Sequence, residues 1–336
     1  MLRSGGETMA RFASAVARQL CIAVLTLGVV VPLCGHAQPA YPTKPIRIIV
    51  PFPPGASNDI LARMVGRKLT ETLGVQTLVD NRGGASTIIG ASALLKSPPD
   101  GYTIMVTSST HIITPLLMRT PYDAVKDFAP VTTIDSSDYV LVVHPALPVK
   151  TLMEFVALAR ARPGEINYAS SAKGSGNHLS AELLAMRTGI KLQHVPYKGG
   201  GPAVTDLMAG QVQMFFNSPS SLVPFVKAGK LKALGVTGEK RMSAIPHVPT
   251  FAEAGLPNFY VKSWHGILAP PGTPRPIIDK LHAEVAKILA MPDTVESLAA
   301  LGMLPWSISP EQFAELLRTD TKRFADVIAA AKITAD

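Results

Sequence analysis

The chain has 336 residues, a formal net charge of +8 and two cysteines, Cys21 and Cys34. Both cysteines fall in an N-terminal targeting segment, so the exported chain would carry no thiol, which excludes disulfides, cysteine nucleophiles, Cys-ligated zinc and Fe–S clusters. About 300 residues without disulfides must be stabilised by burial and usually divide into two domains.

The targeting segment opens the chain. Arg3, Arg11 and Arg18 precede an almost wholly apolar run from Leu20 to Leu33, and Gly35-His36-Ala37 supplies small residues for cleavage after Ala37. Met9 is an alternative start. The apolar run is shorter than the roughly 20 residues of a spanning helix. Leu33 before Cys34 argues against a lipid anchor. Residues 1–37 are therefore expected to be a signal peptide and the location periplasmic. The exported chain keeps a net charge of +6, scattered without a basic run or interleaved aromatics, so nucleic acid is not an expected partner.

From residue 38 onward, strand-like and helix-like segments alternate. Expected strands are 46–51, 75–80, 102–107, 139–143, 166–169, 191–195, 212–216, 231–236 and 260–268. Expected helices are 58–73, 87–96, 151–161, 177–188, 202–209, 219–228, 275–290, 293–301 and 310–330. This order predicts an α/β fold with mostly parallel sheets. Thr151 with Glu154 forms a capping box, and Thr250 is placed to cap a short helix ending near Gly255. The last sixty or so residues read as helices that pack back on an earlier sheet. Extended segments 136–145 and 259–271 read as crossings between two lobes, 38–141 with 262–336 and 142–261.

The junction IRIIVPFPPGASNDILAR (46–63) is a buried strand, a Pro/Gly loop and a helix start. Such a junction aims free backbone N–H groups and the positive end of a helix dipole into one space, which suits an anion. Four more loops sit at strand ends: TSSTH (107–111, with Ser108 and Ser109), SSAKGSGNH (170–178), YKGGGP (197–202) and NSPS (217–220, opening on Asn217). Ligands of open α/β sheets bind beyond the carboxyl ends of strands. These loops are rich in small hydroxyl residues and glycine and poor in carboxylates, which suits a carboxylate or carbonyl ligand, although plain turn chemistry uses the same residues.

Beyond that junction, the chain carries VDNRGGASTIIGA, SPPDGYTIMV, INYASSAKGSGNHLSAELL, VPYKGGGPAVTDLMAGQVQMFF, AGKLKALGVTGEKR, VPTFAEAGLP and WHGILAPPGTP in order. The whole resembles the substrate-binding proteins of tripartite tricarboxylate transporters, the Bug or TctC-like family. The resemblance implies a type II periplasmic-binding-protein-like fold, two α/β lobes with a ligand cleft between them. It further implies capture of a small organic carboxylate by lobe closure, delivery to a membrane permease, a monomer, no cofactor and no metal. The family grips a carboxylate with two loops. By resemblance, these map to Phe52, Gly55, Ala56, Ser57 and Asp59, and to Ser170, Gly174 and Ser175. Asp59 reads as a first-turn dipole partner or an acceptor for a bridging water or ligand amine. Lys173 and His111 are the cations near these loops, His111 reading as a helix-start residue. Ala56 stands where the family has a second glycine, and Gly83 where it has proline; the Ala56 methyl bears on the loop's backbone angles and on the ligand's approach.

Two other readings stay open. A sensor-kinase ectodomain would be served by the same fold. An exported hydrolase-like enzyme would need a Ser–His–acid constellation, yet Gly174-Ser175-Gly176 lacks the GxSxG spacing and His178 follows on a helix's opening turn.

Overall fold

The computed structural model describes residues 41–259, 261–331 and 333. The signal peptide expected over residues 1–37 lies outside the described residues. Among those described, no helix is long and apolar enough to cross a membrane.

Two sheets organise the chain. The first half contributes β1 (Ile46–Val50), α1 (Ser57–Leu73), β2 (Thr77–Asn81), α2 (Ile88–Leu95), β3 (Thr103–Ser108), α3 (Thr110–Leu117) and β4 (Ala129–Asp138). There follow β5 (Val140–Val143), α4 (Leu152–Ala161), β6 (Asn167–Ser170), α5 (Gly176–Thr188), β7 (Gln193–Pro196) and α6 (Gly200–Met208). The chain continues through β8 (Met214–Asn217), α7 (Pro219–Lys227), β9 (Lys232–Val236) and β10 (Lys262–Ala269). It ends with α8 (Arg275–Leu289), α9 (Pro292–Ala300), β11 (Leu304–Pro305) and α10 (Pro310–Ala331). The sheet orders are β11-β4-β10-β3-β1-β2 and β7-β6-β8-β5-β9.

The sheets are mixed, against the expectation of mostly parallel ones. β1 pairs in parallel with β2 and β3, and β6 with β7 and β8. The strands next to the crossings, β4, β5 and β10, run antiparallel to their neighbours. A strand that enters a sheet from the other half of the molecule need not follow a βαβ crossover, so nothing forces it parallel.

Both faces of each sheet are covered, which explains why β1 reads as a continuous apolar run. Ile46, Ile48 and Val50 pack in one cluster with Leu281, Val285 and Ile288 of α8. Ile49 faces the other way, among Phe313, Leu317 and Phe324 of α10. The C-terminal helices thus cover both faces of the first sheet. In the second sheet Leu141 and Val143 face one cluster and Val140 and Val142 the other.

β5 lies whole in the second sheet, so the chain changes sheets at Tyr139, earlier than the expected boundary between 141 and 142. It rejoins the first sheet at Lys262. The two crossings are tied together by Thr237: Tyr139 N donates to Thr237 Oγ1 (2.8 Å), which donates to Val261 O (2.6 Å). Thr151 Oγ1 accepts from Glu154 N at 3.1 Å, capping α4. Thr250 and Glu253 bond in the same way, but only turns follow over 251–255, so the short helix expected there does not form.

Candidate functional site

Five strand ends lead into helices whose first residues meet at one place. β1 leads to α1, β3 to α3, β6 to α5, β7 to α6 and β8 to α7. Ala56, Ser57 and Asn58 of α1, Thr110 of α3, Gly176 and Asn177 of α5, Gly200 of α6 and Ser218 before α7 all line a cavity of about 30 Å³. None of these five helices has a side-chain hydrogen bond at its N-cap. The starts of α1, α3, α5 and α6, with free first-turn N–H groups and the positive ends of their dipoles, thus gather at the cavity, joined by the residue before α7, whose own first residue is Pro219 and has no N–H. No Lys, Arg, Asp or Glu lines the cavity. Asn58 Nδ2 and Ser218 Oγ are buried there with no protein partner among the described residues. The arrangement can hold an anion of carboxylate size by backbone and amide donors alone.

A wider pocket of about 260 Å³ shares Phe52 and Ser171 with the inner cavity. Gly84–Thr87, Met118, Lys173, Tyr197 and Lys198 line it. Ala85, Ser86 and Thr87 all have positive φ (46°, 50° and 82°). Strained backbone of this kind collects at ligand clamps.

Residues 61–333 match the model of the tripartite tricarboxylate transporter family receptor, TctC. The chain belongs to the TctC family. It is 37% identical over 309 residues to Protein BugT of Bordetella pertussis, covering 90% of this chain and 95% of that one. Among solved structures it is similar to Rpa4515 of R. palustris with adipate (35% identity, TM-score 0.85, 88% of this chain and 99% of that one). It is similar also to MatC from Rhodopseudomonas palustris with bound malate (32% identity, TM-score 0.81, 86% and 100%). This is a family of substrate-binding proteins, and the two sheets belong to the periplasmic-binding-protein architecture.

In this TctC-family chain, five residues singled out from the sequence line the inner cavity: Phe52, Ala56, Ser57, Ser108 and Asn217. The other six stand in the same loops but do not line it. Gly55 takes φ +81° and donates its N–H to Asp59 Oδ2 at 3.0 Å. Asp59 also accepts from Arg63 and Asn81. Burial opposes its ionisation, but the bonds from Arg63, Gly55 and Asn81 prevail and hold the carboxyl below its ordinary range. Its oxygens serve the loop. Ser170 Oγ lies 2.7 Å from His194 Nε2, and Gly174 N donates to His178 Nδ1 at 3.2 Å. Ser175 Oγ donates to Ala172 O at 2.6 Å and contacts Asn177 Oδ1. Ser109 is buried, with its Oγ beside α5's first turn and near Tyr139. Ser175 and His178 therefore bond elsewhere than to each other.

Ala56 has φ −71°, open to any residue, so its methyl imposes no backbone strain. His111 is the second residue of α3. It is buried against Tyr122 and Phe128, with Nε2 2.9 Å from Ala124 O, and burial pushes its pKa down to about 4. Lys173 lines the wider pocket. Among the described residues no three His, Cys, Asp or Glu stand as a metal-holding group.

Tyr139, Ser263 and His265 also line the cavity and were not singled out. They come from the crossings and from β10. Asn58, Ser171, Asn177 and Ser218 line the cavity too and were not singled out, although their loops were marked.

Proposed function

We propose that this chain is an exported periplasmic receptor that captures a small organic carboxylate and delivers it to a tripartite tricarboxylate transporter permease. The observation that carries this is the meeting of five uncapped helix N-termini on a cavity lined by no charged acid or base. The carboxylate sits in the inner cavity, where each hydrogen bond to the charged group contributes about 1.5–3 kcal/mol. The body of the acid extends past Phe52 into the wider pocket. That adipate and malate occupy related proteins supports an acid of that size.

The two lobes, divided at Tyr139 and Lys262, close on the ligand. Ligand bridges loops of both, and the shift it causes is set by its differential affinity for the closed state. Cleavage after Ala37 gives a chain beginning at Gln38, acting as a monomer and without cofactor.

A thermal-shift panel of organic acids, followed by product analysis, tests the reading. An acid at one hundred times its Kd should stabilise the protein by about 2.7 kcal/mol and be recovered unchanged. Turnover of the acid would defeat it.

A further inference from the structure

The wider pocket carries two cations in its wall and no carboxylate. Lys173 and Lys198 line it, and no Asp or Glu does. Both lysines come from the second sheet, whose register sets them side by side. β6 and β7 pair in parallel with Ser170 opposite Pro196, and Tyr197 N continues the ladder by donating to Ser170 O at 2.9 Å. Parallel strands release their loops at the same end. Lys173, three residues past Ser170, and Lys198, two past Pro196, therefore stand over one edge of the sheet.

The backbone beside Lys198 is held in place. Gly199 takes φ +148°, and a Cβ there would come within 2.4 Å of the Pro53 ring, so this loop is wedged against the loop that follows β1. On the other side, the Tyr197 hydroxyl donates to Asp206 Oδ2 at 2.8 Å. That carboxylate serves the tyrosine and is not part of the pocket wall. Lys198 itself makes no hydrogen bond or ion pair with another described residue.

The rest of the wall is mostly apolar: Pro51, Phe52, Ala85 and Met118 before the crossing, Ala172 and Pro196 after it. At about 260 Å³ the pocket exceeds the roughly 150 Å³ of an apolar cavity that holds benzene. It shares Phe52 and Ser171 with the inner cavity. A ligand that reaches past Phe52 thus enters apolar walls that carry two ammonium groups.

We propose that Lys198, with Lys173 beside it, receives a second anionic group of the ligand, so that the site selects acids whose two carboxylates are separated by an apolar spacer, a benzene ring or a short alkyl chain. The inference rests on the carboxylate reading above and narrows it to a class. A monocarboxylate of the same length brings a methyl group to the lysines and leaves them without an anion. A second carboxylate meets donors of full charge, and such hydrogen bonds are roughly twice as strong as neutral ones. Hydroxyl groups on the spacer would give up water to a wall that returns few bonds. Selection thus combines charge at the far end with apolar contact between the ends. Lys198 is exposed, so its share is sensitive to salt.

Calorimetry of the purified protein with matched pairs of acids tests this. Adipate is set against hexanoate and terephthalate against para-toluate, each pair exchanging one carboxylate for a methyl group. At low ionic strength the diacid of at least one pair should bind about tenfold or more tightly than its partner, and the margin should shrink as salt is raised. Lys198→Gln should bring that diacid within about threefold of its partner and leave the monoacid's Kd unchanged, a split that a merely structural role would not produce. Lys198→Arg, which keeps the charge, should keep the preference. Equal affinity within both pairs, a preference that survives Lys198→Gln, or equal weakening of both members by that variant overturns the role of Lys198. If the thermal-shift panel finds only monocarboxylic acids, the carboxylate reading stands and this narrower one falls. If no acid of either pair or of the panel binds, the carboxylate reading itself fails.

Discussion

Asp59 Oδ2 accepts the backbone N–H of Gly55, four residues earlier, at 3.0 Å. Its other oxygen takes Asn81 Nδ2 at 3.0 Å, and that amide also donates to Phe52 O. One buried carboxylate thus fixes the loop from Phe52 to Gly55 against β2 without lining the cavity itself. Gly55 turns at φ +81°, and a Cβ there would meet nothing within 4 Å. Gly55→Val therefore acts through backbone strain, of order 1–3 kcal/mol, and not through a clash. It is expected to weaken carboxylate binding more than tenfold while the protein still melts cooperatively. Asp59→Ala should weaken binding too, by freeing the loop. Normal affinity in both variants, measured by calorimetry, would detach this loop from the ligand.

A second expectation concerns Gly176, the first residue of α5. A Cβ there would stand 2.2 Å from the Tyr139 hydroxyl, and both residues line the cavity. Gly176→Ala must displace one or the other. Alanine is the better helix former by up to about 1 kcal/mol, so stability should change little. Kd should rise at least tenfold, and an unaltered Kd would mean that the inner cavity is not where the ligand binds.

Acid should act on the second loop before the first. His178 and His194 stack with ring centroids 4.1 Å apart, next to Tyr168. Burial lowers the pKa of His178 to about 3, helped by His194 and Lys173, and that of His194 to about 4, helped by Lys173. Gly174 N donates to His178 Nδ1, which must therefore be unprotonated. Both folded-state values lie below the ordinary imidazole value of about 6.5. The stabilisation is therefore complete above about pH 6.5 and is lost as pH falls toward 4. The melting temperature should decline over that window, and exchange of the backbone amides of 171–175 should quicken with it. A melting temperature flat from pH 7 to 4.5 would count against the pair.

The first strand, its loop and α1 were legible because both faces of β1 are buried and the loop's prolines and glycine end it sharply. β4 was not. Its sequence, APVTTIDSSD, has few apolar residues, yet Thr132, Thr133, Asp135 and Ser137 are buried. Their polar groups are met by partners that sequence spacing cannot supply: Thr132 Oγ1 reaches Ile308 O and Asp135 reaches His265, about 175 and 130 residues on. Of α3 only the start was marked, at His111; Pro115 within it hid the helix as an element. The same physics divides the site. Residues in the strand-end loops follow from local pattern, whereas Tyr139 and His265 reach the cavity only through the antiparallel register of β4 and β10 and the crossing beside it.

Ser57 Oγ and Ser221 Oγ stand 2.9 Å apart, both buried, joining the start of α1 on the first sheet to α7 on the second. Nearby, a Cβ on Gly199 would come within 2.4 Å of the Pro53 ring, so the two halves also meet closely there, Gly199 backbone against proline side chain. Ser57 lines the cavity and Ser221 does not, so Ser221→Ala separates closure from ligand contact. A net hydrogen bond contributes about 0.5–1.5 kcal/mol. If it forms only when the lobes are together, its loss should weaken carboxylate affinity about two- to tenfold, mainly through faster release. The unliganded protein's melting temperature should barely move, because the open state never had the bond. Small-angle scattering of the ligand-saturated variant should still show the compact form. If Ser221→Ala lowers the unliganded melting temperature and leaves affinity unchanged, the bond belongs to the resting fold, and the closure step must be sought elsewhere along the cleft.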